Sequence, residues 1–419
     1  VKRVAFASMV GTTIEFYDFY IYGTAAALVF GKQFFPALGP AAGTVAAFAT
    51  FGVAFLARPF GAMLFGHFGD RLGRKRTLVS TLLLMGLSTA AIGLLPSAAA
   101  IGVFAPILLV ALRILQGLAV GGEWAGAVLL TTEHAPPERR GWYGMFPQLG
   151  PSVALILSSG TYVAIDLGMS DAAFLDWGWR LPFLISSVLV LVGMYVRLKV
   201  TEPTIFTELV ADGRRSSLPL LEVFREQPRQ VLLTAGTLMS IFSFFYTATT
   251  FLTSYGTGTL GHSRLFVLSD GIYAGVVFGV TTLISGFYAD RIGRRTVIAG
   301  AAVLSAVWGL ALFPVVDTGS PLLFAVAMCV TLACMGLGYG ALGAFLPEQF
   351  ATRYRYTGAG MGFALGGVLG GAALPLASAS LAQHFGSVAV GVYLTVTALV
   401  SLACVLGLSE TRERALAEV

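Results

Sequence analysis

Long stretches with hardly any charge recur along the whole chain, as at Thr77 to Leu95, Val231 to Phe251 and Val388 to Gly407. Each is close to the ~20 residues that an α-helix needs to cross the hydrocarbon core of a bilayer. Across 419 residues, 56% are hydrophobic and only 11% charged, against about 25% charged in an ordinary soluble protein. A soluble core of normal size cannot absorb that much apolar surface. The chain therefore reads as a polytopic membrane protein built from helices, which satisfy their own backbone hydrogen bonds in lipid.

Several function classes drop out at once. A net charge of +5 suits a nucleic-acid binder only if the basic residues cluster on one soluble surface, and here they are scattered between apolar runs. The three cysteines, Cys329, Cys334 and Cys404, fall inside expected spans and read as small packing residues, so neither a disulfide framework nor a metal site is expected. His67, His134, His262 and His384 fall in loops without metal-ligand spacing. No Gly-x-x-x-x-Gly-Lys-Ser/Thr is present, nor any nucleophile–base set, so neither ATP-driven transport nor catalysis is expected. No cleavable signal segment is expected at the start.

Breaking the chain at charged, Gly/Pro-rich intervals gives twelve expected helices, at about 4–30, 44–66, 77–95, 102–132, 141–165, 179–197, 231–255, 265–287, 297–313, 322–347, 356–382 and 388–408. With Val1 in the cytoplasm, one set of loops holds nearly all the basic residues and the opposite set only Lys32, Arg180 and Arg264. The excess of positive loops then puts both termini in the cytoplasm.

A repeat is legible within the chain. "GHFGDRLGRKR" begins at Gly66 after the second span and "GFYADRIGRR" at Gly286 after the eighth, with Gly, Asp, Arg, Gly and Arg at the same spacing. "TEHAPPERRGWYG" from Thr132 has a looser partner in "PEQFATRYRYTGAG" from Pro347. The expected organisation is a six-helix bundle over 1–198, a cytoplasmic linker over 199–229, a second six-helix bundle over 230–409 and a short tail over 410–419. Such repeats place substrate sites at their interface near the membrane midplane.

The doubled Asp-Arg-x-Gly-Arg-Lys/Arg loop in a 6+6 chain resembles the major facilitator superfamily. "IEFYDFYIYG", "FLARPFGAMLFGHFGDRLGRKRT", "LRILQGLAVGGEWAGA" and "RYRYTGAG" are similar to its metabolite–proton symporter branch, which includes permeases for shikimate, α-ketoglutarate, citrate and proline/betaine. The resemblance implies an all-α membrane fold of twelve transmembrane helices in two pseudo-symmetric bundles. It also implies alternating access driven by a proton gradient without cofactor, and a monomer in a bacterial cytoplasmic membrane.

Two acids, Glu15 and Asp18, stand in the first span. At ~1.5 Å per residue they lie near the middle of a ~30 Å core. A carboxylate there costs roughly 2.5 to 3.5 kcal/mol on insertion scales and marks a pathway or a partner. Residues three apart share a helix face, and Tyr22, seven after Glu15, extends the stripe. Arg113 in the fourth span is equally deep, and sugar porters of the same superfamily place an arginine there opposite an acid of the first helix. Arg113 is thus the expected partner of Asp18 or Glu15, with Glu123 of "GGEW" as a second proton carrier or a structural hydrogen bond. Protonation of an acid would release Arg113 to grip a carboxylate through paired N–H···O bonds. Arg58 either binds an anion or snorkels to the surface.

The resemblance assigns a cytoplasmic gate to Asp70, Arg71, Gly73 and Arg74 and to their repeats Asp290, Arg291, Gly293 and Arg294. Glu133 and Arg140 join it in the first half, and Glu348 with Arg353 or Arg355 in the second. The bland alternative is that these basic residues only orient the protein. For the substrate pocket, the candidates are Arg113, Arg58, Tyr22, Gln148, Ser152, Tyr246 and Thr247. The expected function is proton-coupled uptake of a small organic anion, a mono-, di- or tricarboxylate or shikimate-like metabolite. The alternatives are uptake of a zwitterionic osmolyte such as proline or betaine, or efflux by a proton–drug antiporter, since "QLGPSVAL" is similar to part of the exporters' Gly-Pro motif.

Overall fold

The computed structural model describes residues 1–72, 74–198, 219–351 and 354–413, with 66–72, 74–76, 78, 196–198, 219–221, 375 and 376 described by backbone alone. The expected all-helical architecture of twelve spans is the one observed. In order they are Lys2–Ala25, Gly39–Leu72, Arg74–Leu94, Phe104–Gly121 continued by Glu123–Glu133, Arg140–Gly168 and Leu181–Leu198. The second half follows with Pro228–Tyr246, Arg264–Ile292, Arg294–Val316, Pro321–Phe345, Arg355–Gly366 continued to Phe385, and Ser387–Gly407.

Ten of these are long and apolar enough by themselves to cross a membrane, among the described residues. The other two are informative. The third has a shorter apolar stretch, Val79–Leu94. The first is diluted by Thr12, Thr13, Glu15 and Asp18, and it tolerates them because it is buried continuously from Gly11 to Ala25. Its polar groups face protein rather than lipid, the one setting in which deep charge is sustainable.

Helix pairing repeats between the halves. The second span packs on the fourth as the eighth does on the tenth, the third on the sixth as the ninth on the twelfth, and the first on the fifth as the seventh on the eleventh. The halves meet where the fifth span lies along the eighth and the second along the eleventh. Gly271, Gly275 and Gly279, each four residues on, make the first of these contacts close. A Cβ on Gly271 would stand 2.4 Å from Ser159 Oγ, and one on Gly279 2.5 Å from Ser152 Oγ. Small residues at this spacing let helix backbones approach in a membrane, where packing rather than hydrophobicity drives association.

Three spans carry a π-helical turn, Ala26–Phe30 in the first, Thr247–Phe251 in the seventh and Gly367–Ala372 in the eleventh. Such turns rotate the side chains that follow them and gather at functional sites. Of the expected linker, 199–218 lies outside the described residues. Pro219–Glu226 is a short helix whose Val223 is fully buried.

Candidate functional site

Asp18 sits at the convergence of four helices of the first half. Its Oδ2 accepts from the Thr89 hydroxyl at 2.6 Å, and its Oδ1 accepts from the Ser186 hydroxyl. Thr89 in turn accepts from Gln116 Nε2 at 2.7 Å, and Gln116 Oε1 accepts from Arg113 Nη1 at 2.7 Å. Arg113 Nη2 also donates to the Phe51 carbonyl at 3.3 Å, and the guanidinium lies 3.7 Å from the centre of the Tyr22 ring. The direct acid–arginine pair expected from the sequence is therefore replaced by a chain of hydrogen bonds, with Thr89 and Gln116 standing between Asp18 and Arg113. The fourth span turns Arg113 and Gln116 to the same side because they are three residues apart.

Tyr22 contributes its ring to Arg113, while its hydroxyl is committed to Thr50 Oγ1 at 2.6 Å. Since the Thr50 hydroxyl donates to the Ala47 carbonyl at 2.7 Å, Tyr22 is the donor of that pair. Glu123 opens the second segment of the fourth span, is buried, and lies within electrostatic reach of Asp18.

Glu15 goes elsewhere. Expected on one stripe with Asp18, it faces the second half, within electrostatic reach of Tyr246 and Tyr339, while Asp18 faces the third and sixth spans. Three residues turn a helix through about 300°, so the two acids diverge by about 60°. In the middle of a bundle that is enough to give them different neighbours.

Arg58 does not snorkel. It is 1% exposed and stacked on Phe19 at 4.4 Å and Phe55 at 4.1 Å. A Cβ on Gly367, in the π turn of the eleventh span, would lie 3.5 Å from Arg58 Nη1, so the guanidinium reaches across to the second half. All three of its nitrogens lack a well-aligned hydrogen bond to any described residue, as do the hydroxyls of Tyr20, Ser243, Tyr246 and Tyr339. Tyr246 packs its ring against Phe51 and Phe55, each with centroids 5.1 Å apart, and its hydroxyl is in electrostatic reach of Arg58, Arg113 and Glu15. Tyr246 and Tyr339 thus lie within electrostatic reach of each other, of Arg58 and of Glu15, between the halves.

Magnitudes show what such a site requires. Stacking on aromatics contributes about 2 kcal/mol or more when desolvated. Taking an ion out of water costs several kcal/mol, and each buried polar group left without a partner about 1–3 kcal/mol more. Two stacking contacts do not offset that sum.

A family match to the Major Facilitator Superfamily spans residues 8–368. The chain belongs to this superfamily. It is 42% identical over 420 residues to the inner membrane metabolite transport protein YhjE of Escherichia coli K12, covering 99% of this chain and 96% of that protein. It is 39% identical to the shikimate transporter of the same organism, covering 96% and 92%, and 31% identical to its proline/betaine transporter, covering 99% and 85%. Among solved structures it resembles the proton:xylose symporter XylE bound to 6-bromo-6-deoxy-D-glucose, with a TM-score of 0.75 at 17% identity over 99% of this chain and 97% of that one. This last likeness concerns the fold. The chain is a multi-pass membrane transporter and not an enzyme.

The transporter's other expected pocket residues are used in packing. Gln148 accepts from Trp124 Nε1 at 2.9 Å and donates to the Tyr339 carbonyl at 3.2 Å, tying the fourth and fifth spans to the tenth. Ser152 donates to the Gly275 carbonyl at 2.9 Å inside the glycine-lined contact. Thr247 donates to the Ser243 carbonyl at 2.8 Å within its own helix, at the start of the π turn. Each of the three is engaged in a hydrogen bond within the protein.

At the arginine-rich end, the expected gate residues Glu133, Arg140, Asp290, Arg294, Glu348 and Arg355 come together. Asp290, in the second half, accepts from the backbone N–H groups of Gly141 at 2.9 Å and Trp142 at 2.8 Å, where the fifth span of the first half begins. A carboxylate at a helix N-terminus meets both unsatisfied donors and the positive end of the helix dipole. Arg294 Nη1 lies 3.1 Å from Glu348 Oε2, with both side chains buried, and its Nη2 lies 3.5 Å from Asp290 Oδ1. Arg355 donates to the Phe350 carbonyl at 3.2 Å and lies within electrostatic reach of Glu133 and Glu348. Arg140 is likewise within reach of Glu348. Burial pushes the Glu348 carboxyl up to about 7, against the pull of Arg294, Arg140 and Arg355.

Arg291 stands apart from this cluster, exposed and stacked on Phe287 at 3.9 Å. Gly293 adopts φ 102°, a conformation open to glycine without a Cβ penalty, and starts the ninth span without a side-chain cap of its own. Glu410 supplies one, accepting from the N–H groups of Arg294 and Arg295 at 3.0 Å each. Gly73 and Arg353 lie outside the described residues, as do the side chains of Asp70, Arg71 and Arg74.

At the opposite end Arg264 joins the halves again. It binds Asp166, at the end of the fifth span, and Asp171 at 2.7 Å, and its guanidinium lies over Phe174 at 3.8 Å. A cavity of about 520 Å³ beside it is lined by Lys32, Thr44, Thr257 and Arg264. Sequence reasoning missed Tyr20, Thr89, Gln116, Ser186, Tyr339, Glu410 and this outer arginine. Gln116 was findable as the polar residue one turn after Arg113. The hydroxyls were not, since serine, threonine and tyrosine are ordinary in transmembrane helices and only their neighbours single these out.

Proposed function

We propose that this chain is a proton-coupled symporter that takes up a small organic carboxylate across a bacterial inner membrane by alternating access, with its arginine-rich end and both termini in the cytoplasm. The observation that carries the reading is Arg58, a buried guanidinium between the two halves with no well-aligned hydrogen bond to any described residue, stacked on two aromatic rings and within electrostatic reach of the Tyr246 and Tyr339 hydroxyls. A carboxylate supplies what Arg58 lacks, through two parallel N–H···O bonds. Tyr20, Tyr246 and Tyr339, which lie within electrostatic reach of one another, then bind its remaining polar groups. Asp18 carries the proton, and Arg113 follows its charge state. The named relatives transport metabolites, shikimate, and proline or betaine, which supports a small polar solute over a lipophilic drug. The charge bias of the loops supports the orientation.

The full chain in proteoliposomes tests this under an imposed inward proton gradient. Labelled shikimate, a dicarboxylate, a tricarboxylate and glycine betaine are compared. Gradient-driven accumulation of a carboxylate, lost in Arg58→Ala and Asp18→Asn, is expected. Export of cationic dyes with no uptake of any of the four would instead make the chain an antiporter.

A further inference from the structure

Every hydrogen bond between Arg113 and Asp18 points the same way. Arg113 donates to Gln116, Gln116 to Thr89, and Thr89 to Asp18, at 2.7, 2.7 and 2.6 Å. The orientation of the Gln116 amide is fixed by its partners, because the opposite one would set its NH₂ against a guanidinium that has only donors. At the far end the chain needs an acceptor, which Asp18 Oδ2 is when ionised. Thr89 has one proton and two acceptors in range, Asp18 Oδ2 and the Met85 carbonyl at 3.0 Å. If Oδ2 takes a proton it becomes a donor, and the Thr89 hydroxyl must turn to Met85. Its oxygen then has to accept from Asp18 and Gln116 together, so the bond to Gln116 weakens, and with it the hold on Arg113.

We propose that Thr89 and Gln116 are positioning residues of a directional hydrogen-bond relay through which the protonation state of Asp18 sets the orientation of the Arg113 guanidinium. This rests on Asp18 being the proton site of the symport cycle. The other titratable or charged groups around Asp18 are Tyr17 on its own helix and Glu123 and Arg113 on the fourth span. Among the described residues, the third and sixth spans present hydroxyls to it, Thr89 and Ser186. Arg113 can therefore act on Asp18 by its charge across space and by the relay, and the two are separable. Arg113→Lys keeps the charge but loses the planar fork that Gln116 receives.

The test needs no substrate. The purified full chain is titrated with pH and followed by the infrared carbonyl stretch of protonated carboxyl groups, with Asp18→Asn identifying the Asp18 band. Thr89→Val and Gln116→Leu are each expected to move its midpoint upward by about one pH unit, a tenfold change in proton affinity, because the ionised carboxylate loses a donor or the polarisation behind it. Thr89→Ser is expected to restore the wild-type midpoint. Arg113→Lys is expected to shift the midpoint in the wild-type background and to add nothing in Gln116→Leu. If Thr89→Val fails to fold, Gln116→Leu and the Arg113→Lys comparison report on the same relay. Unchanged midpoints in both variants, or an Arg113→Lys shift of equal size with and without Gln116, overturn the relay while leaving Asp18 as proton site. Absence of any Asp18-dependent band in the wild type overturns the assignment of the proton site itself, and the relay with it.

Discussion

Asp290 of the second half caps the helix that Gly141 opens in the first, its two carboxylate oxygens lying 2.9 and 2.8 Å from the N–H groups of Gly141 and Trp142. An Asp of the repeated loop motif is thereby spent on the facing half. The contact ties the fifth span to the end of the eighth at the arginine-rich end.

Gly141→Ala tests this contact, since a Cβ there would stand 2.6 Å from Asp290 Oδ1. Hydrogen bonds to a charged group contribute about 1.5–3 kcal/mol each, so displacing the carboxylate is expected to cost the closed end on the order of 2 kcal/mol. Asp290→Asn, which keeps the shape and loses the charge, is expected to act in the same direction. Cys329, Cys334 and Cys404 are replaced by serine, and a cysteine at Met145, beneath the contact, is labelled with a hydrophilic maleimide. Faster labelling in both variants is the expected result, and unchanged rates would remove the contact from the gate.

Glu348 is expected to make the same end pH-dependent. Burial holds its carboxyl up to about 7, from an ordinary value of 4.5. A raised carboxyl favours the buried arrangement fully below the ordinary value, and the advantage is lost as pH rises toward 7. Relative to a state that exposes Glu348, the closed end is expected to weaken by a few kcal/mol at most between pH 4.5 and about 7. Spin labels at Arg139 and Ile292, read as a distance distribution against pH, are expected to show the separated population growing over that window. Glu348→Gln is expected to flatten the response.

For the central site, Arg58→Lys is the sharper substitution. It keeps the charge and gives up the planar fork. The loss of one charge-assisted hydrogen bond corresponds to roughly 10-fold or more in substrate affinity. Uptake at sub-saturating carboxylate is expected to fall by that factor, with thermal stability nearly unchanged. An equal fall in stability would make Arg58 a packing residue.

At the opposite end, Asp166 and Asp171 are not equivalent partners of Arg264. The Asp166 side chain is 11% exposed and that of Asp171 91%, and exposed ion pairs contribute little. Asp166→Asn is expected to speed labelling of a cysteine placed at Ser159, deep in the contact between the fifth and eighth spans, whereas Asp171→Asn is expected to leave it nearly unchanged. Equal effects of the two would show that Arg264 is not a latch.

The sequence by itself determined the twelve spans, the doubled loop motif and the short roster of deep charges. Each of these is one-dimensional, because a bilayer imposes length and apolarity on every crossing helix and tolerates a deep carboxylate or guanidinium only for a reason. Glu15, Asp18, Arg58 and Arg113 were legible on that ground alone. Their partners were not. Each residue turns a helix by about 100°, so the choice between two neighbours depends on how the helix is rotated and on how closely the next backbone approaches. The glycines of the eighth span set that approach where it meets the fifth. Only the tertiary structure sends Asp18 to Thr89 and Ser186 while Glu15 faces the other half. Only it puts two side chains between Asp18 and Arg113, engages Gln148, Ser152 and Thr247 in hydrogen bonds within the protein, and buries Arg58 between the halves against Phe19 and Phe55.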